Sequence, residues 1–199
     1  MTRMIWKGRY ALIVVDIQID FCPGGTLPIY KGDFIVPTIN DMVRNFEKNR
    51  LPIIFSRDFH PSDHISFLEY GGPWPAHCVK GTDGVKFHPQ LEIPERAYIV
   101  SKATTPEMDA YSAFDGTNLK QILKKTASDS IVVCGLATDY CVKATVLDGI
   151  KEAFAVTVAT DAVMGVEVNP RDTAKALVAM EQAGARLCSS EEVIKYINN

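Results

Sequence analysis

The stretch Ile131-Val132-Val133-Cys134-Gly135-Leu136-Ala137-Thr138-Asp139-Tyr140-Cys141 decides the reading of this chain. From Ile131 to Gly135 the run is apolar and rich in β-branched residues, as in a strand covered on both faces. Thr138 and Asp139 are each able to cap a helix that starts there. Cys141 then falls in the first helical turn, where unpaired backbone N–H groups and the helix dipole favour a thiolate. The pattern predicts a nucleophile presented on a strand-to-helix turn. Cys134 and Cys188 lie inside apolar runs and read as core residues.

Working outward, short apolar runs alternate with amphipathic ones. Strands are predicted at Tyr10 to Val15, Leu51 to Ser56, Tyr98 to Ser101, Ile131 to Gly135 and Ala155 to Thr160, with an edge strand at Arg186 to Cys188. Ile35, Ile39, Met42, Val43 and Phe46 recur at helical spacing and predict a helix from Phe34 to Lys48. Further helices are expected at Leu119 to Lys125, from the cysteine turn to Glu152, and at Pro170 to Ala183, with Gly184 past the end. Ser189-Ser190-Glu191-Glu192 has the capping-box pattern and opens a last helix. The alternation predicts an α/β fold, an open parallel sheet with helices on both faces, in a single domain over residues 1–199. Arg57 to Pro94 is a long Gly-, Pro- and His-containing loop whose aromatic residues argue for order.

The composition is that of a protein with a full core, 47% hydrophobic and 23% charged over 199 residues. A net charge of -3 with no basic run argues against a nucleic-acid partner. No apolar stretch approaches the ~20 residues that span a bilayer, so no membrane partner is expected. Five scattered cysteines are not a disulfide framework and the N-terminus lacks an export pattern, which points to the cytoplasm. Oligomeric state is left open, a homo-oligomer included.

The chemistry-bearing residues follow successive strands: Asp16 the first, Asp58 the second, Lys102 the third and Cys141 the fourth. Open parallel sheets bind ligands outside the carboxyl ends of their strands, so all four can share one crevice. Asp58-Phe59-His60 places an acid and a histidine two apart on an extended segment, pointing the same way. His77 from the following loop completes a three-donor set that leaves positions open for water or substrate. His64 and Cys78 compete as ligands, although Pro61 disfavours a helix joining His60 to His64. His88 reads as a surface-loop residue.

Four segments together resemble a family. They are Asp16-Ile17-Gln18-Ile19-Asp20-Phe21; Asp58-Phe59-His60 with Gly71-Gly72-Pro73-Trp74-Pro75-Ala76-His77; Lys102 with Tyr111-Ser112-Ala113-Phe114; and Gly135 through Cys141. In content and order they are similar to the nicotinamidase/pyrazinamidase branch of the isochorismatase-like cysteine hydrolases. The resemblance implies a six-stranded parallel sheet in the order 3-2-1-4-5-6. It also implies hydrolysis of nicotinamide to nicotinate in NAD salvage, with pyrazinamide as a further substrate. In that family Cys141 would attack the carboxamide, Asp16 would move the proton, Lys102 would support the pair, and the intermediate would be a thioester. The oxyanion hole would be the N–H groups of Ala137 and Cys141, with a cis peptide between Leu136 and Ala137. Asp58, His60 and His77 would hold one divalent metal, zinc first with iron or manganese as alternatives, and Ser66 would touch it through water in some members. Phe21, Trp74 and Tyr111 would wall the flat ring of a small aromatic amide. Other readings are a different small-amide hydrolase of this fold and a non-catalytic metal-binding module.

Overall fold

The computed structural model describes residues 8–198. The expectation about an N-terminal export pattern concerns residues outside this range. In chain order the elements are β1 (Tyr10–Val15), α1 (Val36–Lys48), β2 (Ile53–Asp58), β3 (Tyr98–Lys102), α2 (Leu119–Lys125), β4 (Ser130–Leu136), α3 (Lys143–Lys151), β5 (Ala155–Met164), α4 (Asp172–Gln182), β6 (Arg186–Cys188) and α5 (Ser190–Ile197). The six strands form one parallel sheet in the order β3-β2-β1-β4-β5-β6. The order reverses between β1 and β4, so their carboxyl ends open the crevice where such sheets bind ligands.

All six residues of β1 are buried, because alternate side chains enter two different cores. Leu12 and Val14 pack with Ile39, Met42, Val43 and Phe46 of α1 and Val193 of α5. Ala11, Ile13 and Val15 pack on the other face with Leu119 and Leu123 of α2, Val146 of α3 and Met180 of α4. No helix among the described residues is long and apolar enough to cross a membrane.

Several boundaries differ from expectation for local reasons. The turn Gly32–Ile35 is 3-10, so α1 begins at Val36, with Pro37 in its first turn where the missing N–H costs nothing. The Pro170 start moves to Asp172, since Arg171 at the cap adopts a left-handed φ of 70°. β2 and β3 run on to Asp58 and Lys102, which pair in register. β5 runs on to Met164 past a bulge where Val133 faces Val158 but Gly135 faces Val163. The capping box forms as expected, with the Ser189 hydroxyl accepting from the Glu192 N–H.

Gly135 holds the β1–β4 seam together. Its φ is +114°, and a Cβ there would lie 2.1 Å from the Val15 carbonyl oxygen. Gly135→Ala should therefore part the two strands and cost more than about 3 kcal/mol, read from urea unfolding midpoints. A loss below about 1 kcal/mol would show that the seam tolerates a side chain.

Candidate active site and metal ligands

The turn after β4 is not built as the sequence suggests. Thr138–Val142 is one turn of π-helix, and the Ala137 carbonyl accepts the N–H groups of both Tyr140 and Val142. Neither Thr138 nor Asp139 caps it. The Asp139 carboxylate instead receives the N–H groups of Val166 and Glu167, each at 2.9 Å, and so ties the segment after β5 to the turn. The Thr138 hydroxyl is buried without a partner among the described residues. The Leu136–Ala137 peptide is cis, as expected.

Cys141 is only 7% exposed, and its thiol is not free in solvent. Its Sγ lies 3.4 Å from the Lys102 ammonium, and its reactive atom and those of Asp16 and Asp58 all lie within 4.8 Å of one another. Burial pushes the thiol well above its ordinary range, with Asp16 and Asp58 adding to the rise and Lys102 opposing it. The helix start favours a thiolate, and burial works in the opposite direction. Loss of water and two neighbouring carboxylates act against the helix start, and Lys102 acts with it.

Lys102, wholly buried, is the hub of the cluster. Its ammonium ion-pairs with Asp58 Oδ1, lies 3.0 Å from Asp16 Oδ2, and is 3.3 Å from the Ala110 carbonyl. Burial alone would lower its pKa, but Asp16 and Asp58 more than reverse this, and it stays charged. The two acids diverge. Burial pushes Asp16 above the usual carboxylate range, although Lys102 and a 2.7 Å hydrogen bond from Ser56 Oγ oppose it. For Asp58 burial acts the same way, yet Lys102, His60 and His77 together hold it below that range. Asp16 itself sits at φ 49°, a left-handed residue that turns the chain out of β1.

Asp58, His60 and His77 converge, with one donor atom from each lying within 4.8 Å of the others. His60 Nδ1 is 3.0 Å from the His77 carbonyl and His77 Nδ1 is 2.8 Å from the Pro75 carbonyl. Those contacts place the ring protons on Nδ1 and leave both Nε2 lone pairs free, the orientation that metal-ligating histidines need. Burial pushes His60 down to about 4, so its imidazole is neutral. One carboxylate and two imidazoles fit a divalent ion such as zinc, iron or manganese. His64 cannot join, because its ring nitrogens are engaged by Ser66 Oγ at 2.7 Å and the Met108 carbonyl at 3.0 Å. That bond also occupies the Ser66 hydroxyl. Cys78 is buried beside Gly84, outside the set. His88 lies in the loop, where its ring accepts the Gln90 N–H.

A cavity of about 420 Å³ opens onto Asp58, His77, Ala137 and Cys141. Phe21, Trp74 and Tyr111 line it, together with Leu27, Ile29, Leu136, Tyr140 and Val166. Trp74 Nε1 donates to the Tyr111 hydroxyl at 2.9 Å, and Tyr140 meets the Trp74 ring edge-on at 5.1 Å between centroids. Flat apolar walls with a few polar groups at one end suit a single aromatic ring bearing a polar substituent.

Sequence reasoning gave no role to Gln18, Asp20, Ser56 or Tyr140. The buried Gln18 amide bonds both backbone groups of Asp58 and the Val85 carbonyl, clamping the long loop to β2. Asp20 receives the N–H groups of Cys78 and Thr26. A signal was present in the alternation of polar residues 16, 18 and 20 in an otherwise apolar run, and in Ser56 closing an apolar strand.

Known proteins carry the same arrangement of chain. The isochorismatase domain model matches residues 10–192. A nicotinamidase of Escherichia coli (strain K12) is 37% identical over 198 residues, covering 89% of this chain and 93% of that protein. A solved pyrazinamidase of Pyrococcus horikoshii in complex with zinc superposes with a TM-score of 0.87 at 46% identity, covering 91% of this chain and 99% of that one. A structure from L. infantum in complex with nicotinate gives a TM-score of 0.82 at 31% identity, covering 92% and 93%.

Because one ammonium compensates two buried carboxylates, Lys102→Met should destabilise the metal-free protein by about 3–5 kcal/mol in urea unfolding. Adding Asp16→Asn should restore part of that loss by removing one uncompensated charge. An additive double variant would show that the two side chains do not share a charge balance.

Proposed function

The chain belongs to the isochorismatase domain family, and from that premise we propose that it is a metal-dependent nicotinamidase, hydrolysing nicotinamide to nicotinate and ammonia. The observation that carries this reading is one cavity with the Cys141 thiol and the Asp58/His77 donors at its polar end and an aromatic cage around the rest. A flat heteroaromatic amide presents an electrophilic carbon and a ring nitrogen, the two features this cavity can address. The similarity to nicotinamidase and pyrazinamidase relatives supports the same class of substrate, with pyrazinamide as a second one.

In the proposed reaction Asp16 takes the Cys141 proton as sulfur attacks the carboxamide carbon. The N–H groups of Ala137 and Cys141 receive the developing oxyanion. Asp16 then passes its proton to the departing nitrogen, ammonia leaves, and a thioester on Cys141 remains. Asp16 next deprotonates a water that attacks the thioester carbon, and sulfur leaves with the proton, giving the acid and free thiol. Lys102 keeps the site's charge balanced as the proton moves, through its contacts with Asp16, Asp58 and Cys141. A divalent metal on Asp58, His60 and His77, zinc first with iron or manganese as alternatives, would supply a Lewis-acidic position for the ring nitrogen. The zinc complex of the Pyrococcus horikoshii relative supports that ion. We assign the activity to a single domain, in the cytoplasm, where the product enters NAD salvage; the five unpaired cysteines accord with a reducing compartment.

Ammonia release from a panel of small amides, with and without added divalent metal, tests the assignment. Nicotinamide and pyrazinamide should turn over, and benzamide should lose kcat/KM by up to ~10⁴-fold. His60→Ala and His77→Ala should lower bound metal and erase most of that preference. Equal kcat/KM for nicotinamide and benzamide on metal-loaded protein would move the reading to a metal-independent amidase of this fold. Cys141→Ala should abolish turnover while nicotinamide still binds, and normal turnover in that variant would sink the cysteine mechanism.

A further inference from the structure

The opposite end of the sheet carries a second concavity with a different chemistry. Arg9 directly precedes β1, Arg50 lies three residues before β2, and Arg96 lies two before β3. These strands are neighbours in the sheet, so three guanidinium-bearing positions are brought side by side at its amino-terminal edge. Strand spacing of ~4.8 Å spreads them over roughly 10 Å. All three line one cleft of about 540 Å³. Its other walls are Leu51, Pro52, Ile53 and Ala97, with the Tyr98 ring and Thr126.

Three arginines lining one cleft with no acid among its walls give it a concentrated positive charge. Several cations elsewhere are matched, Arg44 with Asp41 and Glu92, Lys86 with Asp83, Lys120 with Glu152 and Lys175 with Asp172, while others such as Lys48 and Lys151 are exposed outside any ion pair among the described residues but do not line this cleft. Among the described residues none of Arg9, Arg50 and Arg96 forms an ion pair, and no carboxylate lines the cleft. The nearby Asp129 carboxylate is used by the backbone N–H of Arg9 and the Ser130 hydroxyl. Residues 1–7 contain Arg3 and Lys7 and no acid. One N–H of Arg96 goes to the Glu47 carbonyl at the end of α1, which fixes that side chain and complements the helix terminus. Helix-end compensation does not require Arg9 and Arg50 in the same cleft.

We propose that this cleft binds a small organic phosphate. Guanidinium groups recognise phosphate oxygens in paired hydrogen bonds, and the cleft offers no carboxylate that would select a cation. The proline, aliphatic and tyrosine surface beside them gives the organic part of the ligand an apolar bed. The six-residue β1 puts this site about 20 Å from Asp16, so it is separate from the thiol cavity.

Calorimetric titration of the wild-type protein with AMP, inorganic phosphate and adenosine at low salt provides the test. AMP should bind more tightly than phosphate, and adenosine should not bind. Arg50→Gln/Arg96→Gln should weaken AMP at least about tenfold, as expected for losing charge-assisted contacts, with amidase turnover and Tm retained. Should that double variant fail to fold, Arg9→Gln, away from the α1 contact, should still weaken AMP about threefold or more. Absence of AMP binding, or affinity unchanged in the folded variants, would overturn the site. Phosphate binding as tightly as AMP would overturn the organic-phosphate assignment.

Discussion

One buried ammonium organises the carboxyl end of the sheet. Lys102 sits in a wholly buried cluster with Asp16, Asp58 and Cys141, and its contacts cross three strand ends and a helix start. In an interior of low dielectric two carboxylates this close could not both remain ionised without it. The register that pairs Asp58 with Lys102 across β2 and β3 is therefore an electrostatic requirement as much as a hydrogen-bonding one. The same contact joins the thiol pocket to the metal donors, since Asp58 belongs to both groups of ligating side chains.

Topology delivers those residues and polar clamps hold them. Parallel strands aim their carboxyl ends one way, and the order reversal at β1 and β4 leaves a gap that neither crossover fills. Within the long loop after β2 a parallel bridge pairs His60 with Val79, two residues from His77, and this pair still has to be fixed against the sheet. Gln18 and Asp20 do this work from the chain following β1, bonding backbone groups at Asp58, Val85, Cys78 and Thr26. Buried and fully bonded, such groups rigidify a loop at little net cost, whereas a half-satisfied one would loosen the donor set.

What could be read in the sequence and what could not divide along a physical line. β1, α2 and β6 were predicted at their observed bounds, because polar or breaking residues close each short segment. The placement of Asp16, Asp58, Lys102 and Cys141 at strand ends was also legible, since it follows from where apolar runs stop. The capping role expected of Thr138 or Asp139 was not realised. Asp139 answers to backbone N–H groups 27 and 28 residues away, a demand that no local pattern displays. Charge state was hidden for the same reason: a thiol at a helix start looks activated until two carboxylates and full burial are set beside it.

The divergence of the two acids follows from their neighbours alone. Both are buried, and both contact Lys102. Asp58 has in addition two imidazoles, whereas Asp16 has a serine hydroxyl and the repulsion of Asp58 itself. Asp58 is thus held as an anion, suited to a cation, and Asp16 is held where gaining a proton costs little. A thiol that burial makes less acidic, set beside such an acceptor, need not be an anion before its partner arrives. On the proposed reading, proton loss and carbon–sulfur bond formation occur together, and the charge that appears is delivered to backbone N–H groups of the turn. A permanently ionised sulfur would instead face two carboxylates with the Lys102 ammonium shared among all three, which the cluster's charge balance disfavours.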